Sequence, residues 1–144
     1  MAPGKNRQVF DGVGTSPIVQ AIALAESGTT GEIRVHLSKR PFERSPLSRA
    51  TQLFEQFGMS LTHQHNGVLL YVNLRRRKFA IVADTGITAA AGPRYWDQLG
   101  RSLRENLLAT HPEHAIALAV QEIGNVLRKH FPSDLNPARS EENT

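Results

Sequence analysis

Asn66-Gly67-Val68-Leu69-Leu70-Tyr71-Val72 and Lys78-Phe79-Ala80-Ile81-Val82-Ala83-Asp84-Thr85-Gly86-Ile87 decide the fold. These two apolar runs flank the charged segment Leu74-Arg75-Arg76-Arg77-Lys78, so they read as a hairpin with a cationic turn. Residues 68–72 are apolar at consecutive positions, as in a central strand covered on both faces. Residues 79–83 follow with a similar pattern, and the second run ends on a carboxylate before a glycine.

Working toward the N-terminus, residues 59–65 read as a loop. Ser45-Pro46 starts a helix with the stripe Leu47, Ala50, Thr51, Phe54 and Phe57, ended by Gly58. Residues 32–37 alternate strictly and predict a strand with one apolar face. Thr15-Ser16-Pro17 offers a hydroxyl cap and a proline in the first turn of another helix. Ile18, Ala21, Ile22 and Ala25 form its stripe, and Gly28 stops it. Beyond the hairpin, Pro93 opens a helix carrying Trp96, Leu99, Leu103 and Leu107. Pro112 opens the last one, with Ala115, Ile116, Ala119, Val120, Ile123, Val126 and Leu127, and Pro132 closes it.

The predicted order is α-β-α-β-β-α-α, an α/β sandwich with a small mixed sheet. A strand–helix–strand crossover makes the first two strands parallel, and the short connection makes the third antiparallel. Residues 15–132 form the domain, preceded by a loose arm at 1–14 and followed by a flexible tail at 133–144.

The 144 residues suit one domain that buries about two-thirds of its unfolded surface. Hydrophobic residues make up 40% and charged residues 21%, which places the chain among globular proteins. It has no cysteine, so disulfides, thiolate metal sites and a cysteine nucleophile are excluded. Lys and Arg number 17 against 13 Asp and Glu, a mild net charge of +4 that does not suggest a nucleic-acid partner. The one dense run, Arg75, Arg76, Arg77 and Lys78, is either a solvated turn or a contact for phosphate, acidic lipid or a partner. No apolar leader segment is visible at the N-terminus, and no apolar run nears the roughly 18 residues that span a bilayer. A cytoplasmic protein is expected.

The topology gathers chemistry at one end of the sheet. Glu32 begins the first strand, Asn66 and Gly67 begin the second, and Asp84 ends the third, which runs the other way. Glu32, Asn66, Asp84 and Thr85, with Asp97 from the next helix, are therefore a candidate oxygen-rich cluster for a hard cation, Ca²⁺ or Mg²⁺. The alternative is that Glu32 pairs with an arginine and Asp84 starts a turn. His63 and His65, two apart in the loop, are either transition-metal ligands or solvated. His111 and His114 lack an evident third ligand. The phosphate-cradling loop G-x-x-x-x-G-K-[ST], G-x-G-x-x-G, G-x-S-x-G and H-E-x-x-H are all missing.

The ordered series Thr30-Gly31-Glu32-Ile33-Arg34-Val35-His36, residues 50–54, Phe57-Gly58-Met59, Thr62, residues 66–71, residues 78–87 and Tyr95-Trp96-Asp97 resembles the TPM domain family. That family is named for thylakoid-lumen, photosystem-repair and receptor-modulator proteins, and the likeness is to its short free-standing bacterial members. The resemblance implies an α/β/α sandwich with helices on both faces of a small sheet. It implies a shallow groove lined by acidic residues, Ca²⁺-binding in some members, with Glu32 and Asp84 in the matching motifs. Some plant members are described as acid phosphatases, and many members are membrane-tethered. Bacterial relatives are often encoded near LemA-type membrane proteins, which implies an envelope partner. An acidic Asn-Glu-Leu-Pro-type tail is common in the short relatives, and Asn136-Pro137-Ala138-Arg139 departs from it.

The expected function is a divalent-cation-binding and protein-interaction module. A metal-dependent phosphatase, with Asp84 and Glu32 holding the metal, is the alternative. Anionic-surface binding through the Arg75–Lys78 turn is the third.

Overall fold

The structure is a computed structural model that describes residues 16–133, so the expected arm and all but the first residue of the expected tail lie outside the described residues. Three strands form one mixed sheet in the order β1 (Glu32–Ser38), β2 (Gly67–Asn73), β3 (Lys78–Ala83). β1 and β2 are parallel with Glu32 opposite Gly67, and β2 and β3 are antiparallel with Val68 opposite Ala83. Every residue of β2 is buried, as the unbroken apolar run predicts for a strand with helices on both faces.

The first helix, α1 (Pro17–Glu26), starts where Ser16 Oγ accepts the Ile18 N–H at 3.2 Å. The second, α2 (Pro46–Gln56), starts where Ser45 Oγ accepts the Ser48 N–H at 3.1 Å. In both, a side-chain oxygen satisfies an amide that has no partner within the helix, and proline fits a position that needs no amide. A short 3-10 turn, Met59–Leu61, leads to β2. After β3 come α3 (Thr85–Ala91), α4 (Pro93–Ala109) and α5 (Pro112–His130). Helix α3 is additional to the expected order. Its stripe is short, with Ile87 alone buried, and hydrophobic periodicity has little to register in seven residues.

The two faces of the sheet differ in thickness. Ile33, Val35, Val68, Leu70 and Val72 pack with α1 and α5, and the leucines of α4 and Ile87 of α3 join the same core. On the other face Leu69, Tyr71 and Ala80 meet Ala50, Leu53 and Phe54 of α2 and Met59. Leu53 takes the buried position on α2 expected of Leu47, which is 58% exposed. The open edge of β1 is partly blocked, because Glu26 Oε2 accepts the Ile33 N–H at 2.8 Å.

On the α2 face the His36 ring stacks on Tyr71, with centroids 5.7 Å apart, and tilts toward Phe57. Burial, then the charges of Arg49 and Arg40, hold its pKa below the ordinary 6.5. The unfolded chain takes up this proton near pH 6.5 and the folded chain does so only at lower pH. The stability held here is thus present above pH 6.5 and lost as the pH falls through the folded value. Thermal melts between pH 6.5 and about pH 5 should show a flatter decline for His36→Gln than for the parent chain. Parallel declines would show that His36 does not contribute.

Candidate functional site

The parallel register carries Glu32, Asn66 and Asp84 to one end of the sheet, where the Asp84 N–H donates to the Gly67 carbonyl at 3.0 Å. Asp84 is the N-cap of α3, and its Oδ1 accepts the Thr85 N–H at 2.8 Å. The next two amides, Gly86 and Ile87, both donate to the His65 carbonyl, at 2.8 and 3.2 Å. His65 has φ 52°, a left-handed conformation that turns its carbonyl toward the helix start. Its imidazole Nδ1 lies 3.2 Å from Asp84 Oδ2. The loop before β2 and the start of α3 therefore hold each other through backbone and side chain together.

The other cluster members have local partners. Glu32 Oε2 sits 3.3 Å from Arg34 Nη2, the pairing considered as the alternative, and the Arg34 guanidinium lies over the Phe57 ring. Asn66 is 2% exposed and donates from Nδ2 to Thr30 Oγ1 at 3.0 Å. Thr30 Oγ1 in turn donates to Gln64 Oε1. Thr85 is exposed at the head of α3, and Asp97 is exposed on α4. Among the described residues no group of three or more His, Asp or Glu is placed to hold a metal ion.

Three residues that the expected cluster did not include belong to this corner: Thr30, Gln64 and, above all, His65, which pairs with Asp84 rather than with His63 around a metal. The signal for His65 lay in Asp84-Thr85-Gly86, a capping residue followed by a glycine. That pattern predicts a helix start approached closely by another backbone. In the tautomer with the proton on Nδ1, Asp84 orients the ring and leaves Nε2 as a base at a half-exposed side chain.

The turn residues at the other end divide. Arg77 has φ 54° and donates from Nη1 to the Leu107 carbonyl at 2.6 Å, neutralising the C-terminal end of α4. Arg75, Arg76 and Lys78 are exposed. A groove of about 330 Å³ lies between α4 and α5, with Tyr95, Leu99, Ser102, Leu103, Ala119 and Glu122 in its walls. Burial raises the pKa of the Tyr95 hydroxyl, aided by the nearby charge of Glu122, and that hydroxyl donates to the Glu122 carbonyl at 2.9 Å.

The family model described as TPM domain matches residues 5–126. Among solved structures, the chain is similar to the BA42 protein of the psychrophilic bacterium Bizionia argentinensis, with 34% identity and a TM-score of 0.72 over 80% of this chain and 79% of that one. It shares its fold with the N-terminal domain of the cg2496 protein of Corynebacterium glutamicum, at 13% identity and a TM-score of 0.62, over 83% of this chain and 74% of that one. It also shares it with the N-terminal domain of a P. gingivalis protein, at 12% identity and a TM-score of 0.64, over 89% and 85%. No curated protein sequence matches it.

Proposed function

The chain belongs to the TPM domain family, and from that premise we propose that it is a binding module taking a divalent cation, Ca²⁺ or Mg²⁺, at the corner of Glu32, Asn66, Asp84 and Thr85. The observation that supports this is the register of the sheet. It brings oxygen-bearing side chains from three separate segments to one end: Thr30 and Glu32, Gln64 and Asn66, Asp84 and Thr85. A cation entering there competes with His65 for Asp84 and with Arg34 for Glu32. Binding is therefore expected to be weak, with a Kd of about 0.1–1 mM. Asp97, exposed on α4, is proposed as an outer contributor. The loaded corner would engage a protein partner, for which the family resemblance suggests a LemA-type membrane protein of the envelope, and the chain itself would sit on the cytoplasmic side. Among the described residues no helix is long and apolar enough to cross a membrane, so attachment through a partner suits it.

Asparagine caps a helix as well as aspartate, so Asp84→Asn keeps α3 while removing the charge. Titration with Ca²⁺ should shift the amide resonances of Gly67, Asp84, Thr85 and Gly86 in the parent chain and leave them still in Asp84→Asn. Resonances that do not move at about 10 mM of either ion would rule the site out.

The His65–Asp84 pair favours a second reading, a metal-dependent phosphatase in which Asp84 and Glu32 would hold the metal, the metal would supply Lewis acidity, and His65 would carry a proton. Phosphate release from a simple phosphomonoester with Ca²⁺, Mg²⁺ or Mn²⁺, abolished by Asp84→Asn, would decide for it.

A further inference from the structure

The opposite end of the sheet is organised by Asn73, which is fully buried. Its Nδ2 donates to the Arg40 carbonyl and to Glu43 Oε1, both at 3.0 Å. Its Oδ1 accepts the N–H groups of Arg75 and Arg76 at 3.0 and 3.1 Å. The Leu74 N–H donates to the Ser38 carbonyl at 2.8 Å. One side chain thereby fixes two basic loops beside each other, the segment 39–45 and the β2–β3 turn. Lys39, Arg40 and Arg44 are exposed on the first, and Arg75, Arg76 and Lys78 on the second.

Of the two nearby carboxylates, Glu43 accepts from the Tyr71 hydroxyl and from Asn73, and Glu55, in the wall of the adjoining depression, accepts from Ser60. Arg40, Arg44 and Arg49 line a shallow pocket of about 370 Å³ with Ser45, Ser48 and Phe42. The depression beside it shares Ser48 and Gln52 and contains Leu47. Phe42 is 89% exposed and Leu47 58% exposed, so both apolar side chains stand in water among the cations.

We propose that this end of the sheet is a docking surface for an anionic phospholipid bilayer, with its cations on the headgroup phosphates and Phe42 and Leu47 inserted at the interface. Charge complementarity selects the phosphate-rich surface. Phe42 would serve either a bilayer or a base, and Leu47 decides between them, because its branched side chain inserts between acyl chains and offers no ring for a base to stack on. The other aromatic rings nearby, His36 and Tyr71, are stacked on each other. Arg77 takes no part, being bound to Leu107. The surface is independent of the cation corner, which lies at the other end of the sheet.

The test is sedimentation of the full chain with vesicles of phosphatidylcholine, alone or with about 30% phosphatidylglycerol, in EDTA so that the cation corner is silent. The expected result is binding to the anionic vesicles alone, weakening as salt rises. Each basic side chain near such a surface contributes about a fivefold factor, so Arg40→Gln with Arg44→Gln should lower the partition coefficient about 30-fold. Phe42→Ser should lower it without changing the salt dependence. Arg101→Gln with Arg104→Gln removes the same charge from an exposed stretch of α4 and should leave binding intact. All five positions are exposed, so the variants are expected to fold, and circular dichroism checks this. The proposal is overturned if anionic vesicles fail to sediment the parent chain at low salt, or if the α4 control loses binding equally. A single-stranded oligonucleotide that binds more tightly than the vesicles would also overturn it, in favour of nucleic acid.

Discussion

Gly86→Ala is expected to destabilise the chain by about 2–4 kcal/mol, which lowers its melting temperature by roughly 10 °C, and to abolish any cation response of the Asp84 corner. A methyl group at position 86 would lie 2.3 Å from the Gln64 carbonyl oxygen and 2.7 Å from that of His65. Both obstacles are backbone, so no rotamer change relieves the contact. The loop must withdraw, and withdrawal breaks the two hydrogen bonds that Gly86 and Ile87 donate to the His65 carbonyl. It also separates the His65 imidazole from Asp84. Alanine's better helix propensity returns at most about 1 kcal/mol, too little to offset two lost hydrogen bonds and a backbone shift. A melting temperature within about 2 °C of the parent's would mean that the loop yields freely and that the corner is not rigid.

Gly124→Val is expected to cost about 3 kcal/mol through the α1–α5 contact. The added Cβ alone would stand 2.5 Å from Ala25 Cβ and 2.8 Å from Ala25 Cα. These two helices cross at small residues, and their packing carries Ile18, Ile22, Ile123 and Leu127 into the main core. Valine adds two more methyl groups, so the helices must part along the crossing and the isoleucines lose contacts with them. Gly124→Ala should cost less, since its propensity gain of about 1 kcal/mol opposes a smaller clash. Combining Gly124→Ala with Ala25→Gly removes the nearer obstacle, and a favourable coupling between the two should appear in a double-mutant cycle. Additive losses would locate the cost elsewhere than in this crossing.

These two glycines differ in how far the sequence announced them. Gly86 follows a capping residue, and a helix start of that kind is a local pattern. Gly124 sits in the middle of a strongly periodic helix, where glycine reads only as a weakness. Its reason lies in α1, a hundred residues earlier, and no local pattern holds that information.

The same division runs through the candidate site. Strand polarity followed from chain connectivity: a helix between β1 and β2 requires a parallel pair, and a short turn before β3 requires an antiparallel one. That was enough to bring Glu32, Asn66 and Asp84 to one end and Arg75, Arg76 and Lys78 to the other. The partners of those side chains were another matter. His65 turning back to Asp84, Arg34 bridging Glu32 and Phe57, and Asn73 joining two basic loops each depend on side-chain direction and on where the neighbouring loops run.

What the sequence by itself determined is the three strands and four longer helices, their order and the polarity of the sheet, but not the short α3. Apolar spacing, capping hydroxyls and prolines act within a few residues and can be read there. Only the tertiary structure decided which cations stand free, which carboxylates are already partnered, and that Leu47 and Phe42 are left in water while Leu53 is buried. Those outcomes depend on which face of α2 meets the sheet and on where each loop is anchored. Contacts such as His65–Asp84, Arg77–Leu107 and Asn73–Arg40 join residues 19 to 33 positions apart, and their energy exists only once the chain has closed around them.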